Sequence, residues 1–385
     1  MPWSAKSVMD QRVEFVVRAE QGKAPIRQLC AEYGISRQTG HGWLRRYREQ
    51  GSFRALAPRS RRPQHCPHQS PAAAELAVER VRREYGWGAR KIQVVLAEAG
   101  LELTEPTINR ILRRRGLIAP RQVRGQATGR FERAECNQLL QMDFKGEYPV
   151  AEGKCYPLAL LDDHSRYLLG LWPLPNQQAE GVQTALEGCF RQYGVPQALL
   201  LDRGVPWWST TNGHGLTHLS VWLMKQDLAL IYGRAYHPQT RGKIERFNRT
   251  LKERTRHEGA PPDRAAWQQW APRLRYEYNE VRPHEALGMK RPAELYNRAN
   301  RRPYQEQPRE YDYGPADRRQ LNSQGCLTHG RRRYFVCEAL AQERVRVEEV
   351  DHLLVVTYRA TTIREIDLRT GRSRALLQPS SPPKV

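Results

Sequence analysis

Hydrophobic residues recur with helical spacing in the first part of the chain. One group falls in residues 13–17, and a second runs from Ile26 to Tyr33, up to a break at Gly34. Ser36 is a suitable N-cap for the helix that follows, because its hydroxyl oxygen accepts a hydrogen bond from a free amide of the first turn. The pattern therefore predicts a short helix, a glycine turn and a second helix within residues 1–57.

This arrangement predicts a helix-turn-helix domain, whose second helix enters the major groove of DNA by its N-terminal residues. The residues that would then face DNA are Arg37, Gln38, Thr39 and His41. Spacing alone fits any small helical hairpin equally well. The charge of the region favours DNA binding, because residues 1–134 hold 26 Lys and Arg against 12 Asp and Glu.

Residues 72–118 repeat the pattern and predict a second helix-turn-helix domain. Its third helix begins at Thr104, has Pro106 in its first turn and ends in an arginine run at residues 113–115. Arg113 and Arg114 are candidate DNA contacts. The alternative interpretation is that these arginines only complement the negative end of the helix dipole.

The chain changes character after residue 134. Apolar runs of strand length alternate with helical patterns up to residue 300, in the order strand, strand, strand, helix, strand, helix, strand, helix. The strand runs are Leu139–Phe144, Tyr156–Leu161, Tyr167–Leu174, Ala198–Leu201 and Leu228–Tyr232. The order predicts an α/β domain over residues 134–300 with a mixed five-stranded sheet, and Asp162–Ser165 is predicted to form the polar turn of a hairpin.

The remaining segments give simpler predictions. Residues 316–372 alternate short strands and turns, which predicts a small C-terminal β-barrel. Residues 58–71 and 119–133 are rich in Pro, Arg and Gln and lack a hydrophobic period, which is typical of basic linkers. Residues 373–385 are expected to form a disordered tail.

Composition indicates the kind of partner that the protein binds and the cellular compartment in which it is expected. The 385 residues carry a formal net charge of +22, which indicates a polyanionic partner. No apolar run approaches the roughly 20 residues that a membrane span needs, and the first residues lack an apolar signal core. Seven scattered cysteines without a C-x-x-C pair fit a reducing compartment. A cytoplasmic, nucleoid-associated protein without membrane contact is expected.

Three acids are candidate catalytic groups. Asp143 interrupts an apolar strand, where a carboxylate is costly unless a partner or a metal compensates it. Asp202 follows the buried run Ala198–Leu201, at the strand end where α/β sheets bind ligands. Glu245 lies near the start of a helix, on the face opposite to an apolar stripe.

Converging carboxylates suit divalent cations, because Mg²⁺ prefers oxygen ligands. Two Mg²⁺ ions about 4 Å apart would activate a water or a 3′-hydroxyl and stabilise the leaving oxygen in an attack on a phosphodiester, with Mn²⁺ as a substitute. Bound metals would also explain how a basic protein tolerates acids at a DNA-facing site. Spacing by itself is weak evidence for this triplet, because the chain offers 41 acids.

Five segments between Leu140 and Tyr296 form a recognisable set. They are Gln141–Asp143, Leu161–Arg166, Leu201–Pro206, His237–Lys252 and Tyr278–Leu287. The stretch that contains them resembles the catalytic core of bacterial insertion-sequence transposases of the retroviral-integrase superfamily, which has a ribonuclease-H-like fold and a DDE triad. The two predicted helix-turn-helix domains resemble the end-recognition region of the same family.

The resemblance implies that the protein binds the inverted-repeat ends of a transposon, cleaves DNA and joins 3′ ends to target DNA. Asp143, Asp202 and Glu245 would be the metal-binding catalytic acids. By the same resemblance, the residues that contact the DNA ends would be Lys243, Asn248, Arg249 and Lys252. The implied partners are double-stranded DNA, as ends and as target, and further copies of the chain in a dimer or tetramer.

Two departures from the family pattern keep other functions open. The family usually has Asp-Asn-Gly where this chain has Asp-Arg-Gly at residues 202–204, and 42 residues separate Asp202 from Glu245, more than is common. The extra length falls in the loop 207–215, for which DNA contact and a simple insertion are the two alternatives. Its two tryptophans are expected to pack against the sheet, with stacking on a flipped or frayed base as the other interpretation. The alternatives are a catalytically inactive helix-turn-helix regulator and a phage-type integrase or nuclease with the same core.

Overall fold

The computed structural model describes residues 7–58, 69–118, 132–209, 215–233 and 242–379. The chain divides into two compact units, residues 1–70 and residues 71–385. The predicted basic linkers 58–71 and 119–133 fall largely outside the described residues.

The first unit is a three-helix domain. Its helices are α1 (Val8–Glu20), α2 (Ile26–Glu32) and α3 (Arg37–Gln50), followed by a 3₁₀ turn at Phe53–Leu56. The Ser36 hydroxyl accepts a hydrogen bond from the Thr39 amide at 3.1 Å, which confirms the predicted N-cap of α3. Phe15 and Leu44 are buried between the helices, as the hydrophobic spacing requires.

Close packing of the three helices depends on Gly40. A Cβ atom at this position would lie 2.7 Å from Cys30 Sγ and 2.8 Å from Phe15 Cζ. Both distances are shorter than a van der Waals contact, so only glycine lets α3 lie this close to α1 and α2.

A second helical domain opens the second unit. It consists of α4 (Ala72–Tyr85), α5 (Ala89–Glu98) and α6 (Glu105–Arg114). Thr104 precedes α6 in extended conformation, with a proline in the first turn, as predicted. The domain lies against the α/β core, where Lys91 Nζ is 2.8 Å from Glu285 Oε1 and the His257 ring bonds to the Arg83 carbonyl at 2.6 Å.

The centre of the second unit is a mixed sheet. Its strands are β1 (Leu140–Phe144), β2 (Tyr148–Val150), β3 (Gly153–Asp162), β4 (Leu168–Leu174), β5 (Ala198–Leu201) and β6 (Ala229–Tyr232). The order is β4-β3-β1-β5-β6, with antiparallel pairing from β4 to β1 and parallel pairing from β1 to β6. The predicted five strands are present, and the sequence pattern missed only β2, which pairs with the start of β3.

Helices cover both faces of this sheet. They are α7 (Ala179–Tyr193), α8 (His218–Lys225), α9 (Gly242–Glu258), α10 (Arg264–Tyr276) and the short α11 (Pro292–Leu295). Helices α7 and α8 pack on the face that contains Leu140 and Met142, and α9 and α10 pack on the other face. Because side chains alternate along a strand, Gln141 and Asp143 face α9. This arrangement is the predicted ribonuclease-H-like core.

The C-terminal region is an open sheet, so the predicted β-barrel is wrong. Its strands are β7 (Arg318–Gln320), β8 (Cys326–His329), β9 (Arg332–Phe335), β10 (Arg344–Val350), β11 (Leu353–Tyr358), β12 (Thr361–Asp367) and β13 (Ser373–Pro379). Five of them form an antiparallel sheet in the order β13-β12-β11-β10-β7, and β8 pairs only with β9. The β8–β9 hairpin and residues of α8 bury the apolar face of the sheet, which removes the need for closure.

The predicted disordered tail also needs correction. Residues 373–379 form β13, which pairs antiparallel with β12: Thr361 lies opposite Pro379 at one end of the ladder, and Ile366 lies opposite Ser373 at the other. Residues 380–385 lie outside the described residues. Among the residues described, no helix is both long enough and apolar enough to span a membrane.

Candidate active site and nucleic-acid contacts

Asp143 lies near the carboxyl end of β1 and is partly buried on the face that α9 covers. Its Oδ2 accepts a hydrogen bond from Asn248 Nδ2 at 2.8 Å. Asn248 is 8% exposed, and its Oδ1 is buried with no hydrogen-bond partner among the described residues. The bond ties α9 to β1 beside the candidate carboxylate, and Asn248 therefore does not face outward as a DNA contact.

Asp202 is the first residue after β5, the parallel neighbour of β1. Leu140 pairs with Leu199 and Gln141 with Leu200 in this ladder, and both strands run on toward the same edge of the sheet. The sheet therefore brings the first two predicted acids to one edge.

The loop after β5 holds the Asp202 carboxylate. Its Oδ1 accepts hydrogen bonds from the Trp207 indole nitrogen at 2.6 Å and from the Gly204 amide at 3.1 Å. Trp207 is 1% exposed, which confirms that it packs against the sheet. The Arg203 guanidinium, at the position where the family pattern differs, lies 5.1 Å from the ring centre of Trp208.

Glu245 lies in the first turn of α9 and is exposed. The predicted apolar stripe is confirmed by burial of Ile244, Phe247 and Leu251. Glu245 precedes Asn248 by three residues, so both lie on neighbouring positions of one helix face. Among the described residues, however, no group of three or more His, Cys, Asp or Glu lies close enough to hold a metal ion. Asp143 and Asp202 belong to the ends of two neighbouring strands, and Glu245 lies on the helix that packs on the Asp143 face of the sheet.

Lys243 takes part in a buried polar cluster that the sequence did not reveal. Its Nζ lies 2.5 Å from Asp163 Oδ2, and Gln141 Nε2 donates to Asp163 Oδ1 at 2.7 Å. Gln141 Oε1 in turn accepts a hydrogen bond from the Ile244 amide at 3.1 Å. We call Gln141, Asp163, Lys243 and the Ile244 amide the α9 anchor, because they fasten the first turn of α9 to β1.

The α9 anchor changes the interpretation of Lys243. Its side chain is only 13% exposed. Burial lowers the pKa of Lys243 to about 8, since the charged form loses hydration, and the Asp163 carboxylate opposes this shift. Lys243 therefore holds an internal ion pair, instead of facing DNA. The sequence analysis assigned Asp163 to a polar turn, but its position directly after an apolar strand indicated that the carboxylate could be buried and need a cation.

Asp162 is a structural acid. It is fully buried and accepts hydrogen bonds from the Ser165 amide and hydroxyl at 2.8 and 2.7 Å and from the Asn137 amide at 2.8 Å. Burial raises the pKa of Asp162, and these donors oppose the rise. Its contacts close the β3–β4 hairpin, as the sequence predicted for this turn.

The other predicted DNA contacts have two kinds of surroundings. Those exposed to solvent are Arg37, Gln38, Thr39 and His41 at the start of α3, Arg113 at the end of α6, and Arg249 and Lys252 on α9. Arg114 instead forms an ion pair with the buried Glu75 carboxylate. The arginine run of α6 thus partly serves the fold of its own domain.

Helix α6 carries two further candidate DNA contacts that the sequence analysis did not identify. Thr107 and Arg110 lie in the first turns of this helix, and Arg110 is exposed with a hydrogen bond of 3.1 Å to the Thr107 hydroxyl. Helix-turn-helix domains present the N-terminal residues of the last helix to DNA. Applied to α6, that rule selects Thr107 and Arg110 ahead of the C-terminal arginines.

Comparisons with known proteins agree with this architecture. Two models described as "Integrase core domain" match residues 133–238 and 226–292, a "Helix-turn-helix domain" model matches residues 11–64, and a "Homeodomain-like domain" model matches residues 39–112. The chain therefore contains an integrase core domain preceded by a helix-turn-helix domain. Its homology to insertion-element proteins and retroviral integrases is distant.

Individual relatives give the extent of the likeness. An uncharacterized 31.7 kDa protein of insertion element IS407 from Burkholderia multivorans is 24% identical over 241 residues, which is 59% of this chain and 82% of that protein. The Gag-Pol polyprotein of feline leukemia virus is 31% identical over 115 residues, or 29% of this chain and 6% of the polyprotein. The HTLV-2 integrase catalytic core in complex with magnesium is 13% identical, with a TM-score of 0.32, over 42% of this chain and 97% of that chain.

Proposed function

We propose that the protein is a DDE transposase that binds transposon ends, cleaves DNA and joins the 3′ ends to target DNA with the help of Mg²⁺. The observation that carries this proposal is that Asp143 lies near the end of β1 and Asp202 directly follows β5, the parallel neighbour of β1, in an integrase core domain. Each unit carries exposed basic residues available to DNA, on α3 in the first unit and on α9 in the second.

The donor set of the strand edge fits Mg²⁺. This ion is usually held by one or two carboxylates together with waters and substrate phosphates. Asp143 and Asp202 would supply the carboxylates, and Asn248 Oδ1, which has no hydrogen-bond partner among the described residues, is a buried acceptor on the side chain that binds Asp143. Bound there, Mg²⁺ would polarise the phosphodiester and lower the pKa of the attacking hydroxyl or water.

The remaining roles belong to side chains of this chain. Asn248 orients the Asp143 carboxylate through its amide, and the α9 anchor fixes the helix that carries Glu245. We propose Glu245 as the third acid of the site, since it lies one helical turn from Asn248. Arg249 and Lys252, exposed on the same helix, would bind phosphates of the DNA end. Because two ends must be joined, two or more copies of the chain would act together.

A DNA-binding regulator without catalytic activity is the second candidate. The observation that favours it is that the described residues contain no group of three acids or other ligands able to hold a metal. Such a protein would bind ends through its helix-turn-helix domains and leave them intact.

Carboxylate variants separate the two candidates. We expect Asp143→Asn and Glu245→Gln to abolish Mg²⁺-dependent cleavage and joining of a labelled end-containing duplex, with duplex binding retained. The matched controls are Asp351→Asn, in an exposed turn, and Glu253→Gln, exposed on the same helix as Glu245. Equal cleavage by the wild type and both site variants would refute the catalytic acids. Binding without cleavage under Mg²⁺ or Mn²⁺ would favour the regulator.

A further inference from the structure

The loop that follows β5 contacts the Asp202 carboxylate and the ring of Phe144, the residue after Asp143. Trp207 donates its indole N–H to Asp202 Oδ1, and its ring stacks on Phe144 with 5.6 Å between centroids and 10° between planes. Phe144 directly follows Asp143 on β1. One buried side chain therefore joins the end of β1 to the carboxylate that follows β5.

The position of Trp207 is itself fixed. The ring is 1% exposed within the core that α7 and α8 cover, and the Tyr232 hydroxyl donates to the Trp207 carbonyl at 3.1 Å. Because both the ring and the backbone of Trp207 are held in place, its indole N–H cannot move with the Asp202 carboxylate if the Asp202 side chain rotates. It therefore limits the rotation of Asp202.

The backbone of Gly204 also limits the rotation of the Asp202 carboxylate. A Cβ atom at residue 204 would lie 3.0 Å from Asp202 Oδ1 and 3.2 Å from Oδ2, so the carboxylate lies directly over this glycine. The Gly204 amide donates to the oxygen that Trp207 also binds. Both donors converge on Oδ1, and hydrogen bonds to a carboxylate are stronger than those between neutral groups.

We propose that Trp207 is a positioning residue whose indole N–H fixes the orientation of the Asp202 carboxylate, so that Asp202 and Asp143 bind the same divalent cation. This inference rests on the proposed function. The role differs from that of a merely structural tryptophan, because the packing of the ring and the hydrogen bond of its nitrogen are separable.

Substitution by phenylalanine separates them. Trp207→Phe keeps an aromatic ring against Phe144 and removes the N–H. The matched control is Trp267→Phe, since Trp267 is fully buried and its indole nitrogen bonds to no partner in the part of the chain that the structure describes. The first readout is Mn²⁺ binding to the full chain, measured by electron paramagnetic resonance of the free ion. The second is the Mg²⁺ concentration that gives half-maximal cleavage of a labelled end duplex.

We expect Trp207→Phe to weaken Mn²⁺ binding by roughly 10- to 100-fold, the usual effect of losing a partner that orients a metal ligand. The half-maximal Mg²⁺ concentration should rise by a similar factor, while cleavage at saturating Mg²⁺ recovers. Trp267→Phe should change neither value. Unchanged Mn²⁺ binding in Trp207→Phe would overturn the inference.

Two further variants complete the test. Asp202→Asn should lose Mn²⁺ binding outright. If this variant binds Mn²⁺ as the wild type does, the metal site of the proposed function is refuted. If Asp202→Asn loses binding and Trp207→Phe does not, only the role of Trp207 is refuted. Gly204→Ala perturbs the same carboxylate without touching the core. Thermal unfolding shows whether Trp207→Phe is folded. If it is not, Gly204→Ala replaces it in the test: weakened Mn²⁺ binding by Gly204→Ala supports the positioning of Asp202 by its loop, and unchanged binding contradicts it.

Discussion

Two lysines of α9 show how surroundings decide the role of a charged side chain. Lys243 is 13% exposed and pairs with the fully buried Asp163, whereas Lys252 is exposed on the outer face of the helix. A lysine that must neutralise a buried carboxylate contributes to stability and to the placement of its helix. An exposed lysine is available for DNA phosphates.

This difference predicts opposite phenotypes. Lys243→Met should destabilise the protein by about 3 to 5 kcal/mol in urea unfolding, because it leaves the Asp163 carboxylate buried without its cation. Lys252→Met should change the free energy of unfolding by less than about 0.5 kcal/mol and weaken duplex binding instead. Equal stability of the two variants would contradict the α9 anchor.

At the scale of single elements, helix α3 carries two glycines with different surroundings. A Cβ atom at Gly40 would collide with Cys30 and Phe15, whereas one at Gly42 would meet no atom within 4 Å. Glycine is a poor helix former, so it is retained in a helix interior where packing demands it. Gly40 meets that condition and Gly42 does not.

The two glycines therefore form a matched pair. Gly40→Ala should destabilise the three-helix domain by about 1 to 3 kcal/mol through overpacking. Gly42→Ala should stabilise it by up to about 1 kcal/mol through helix propensity. Thermal unfolding of the full chain, followed by circular dichroism, measures both effects. A stabilising Gly40→Ala would show that α3 does not pack this closely.

At the scale of the whole molecule, positive charge is spread unevenly. Residues 1–134 contain 26 Lys and Arg against 12 Asp and Glu, and so supply most of the net charge of +22. Several of these cations are used internally, as in the pair of Arg114 with Glu75. The exposed remainder, which includes Arg37, is available to displace counterions from DNA.

Duplex binding by the full chain should accordingly weaken steeply with salt. Each neutralised phosphate contributes a slope of roughly −0.9 to the logarithm of the binding constant against the logarithm of salt concentration. Arg37→Gln should make the total slope shallower by about this amount. Lys154→Gln should leave it unchanged, because Lys154 already pairs with Glu147 at 2.8 Å. A salt-independent wild type would show that the basic residues do not hold DNA.

Much of the architecture was predictable because it follows from local patterns. The helical spacing with Ser36 as cap predicted α3, and the alternation of apolar runs with helical segments predicted the mixed sheet. The stripe that includes Phe247 predicted which face of α9 is buried. The C-terminal barrel was predicted wrongly, because short strands and turns do not reveal which face is covered by a hairpin and by α8.

Sequence by itself determined the charge and most of the secondary structure, since these depend on residue type and spacing, and the resemblance to a known family favoured Asp143, Asp202 and Glu245 as candidate acids. Only the tertiary structure decided that the strands beside Asp143 and Asp202 are parallel neighbours, that Trp207 donates a hydrogen bond to Asp202, and that Lys243 forms an ion pair with Asp163. The physical reason is that burial and hydrogen bonding between distant segments have no local signature. They exist only once strands from separate parts of the chain lie side by side.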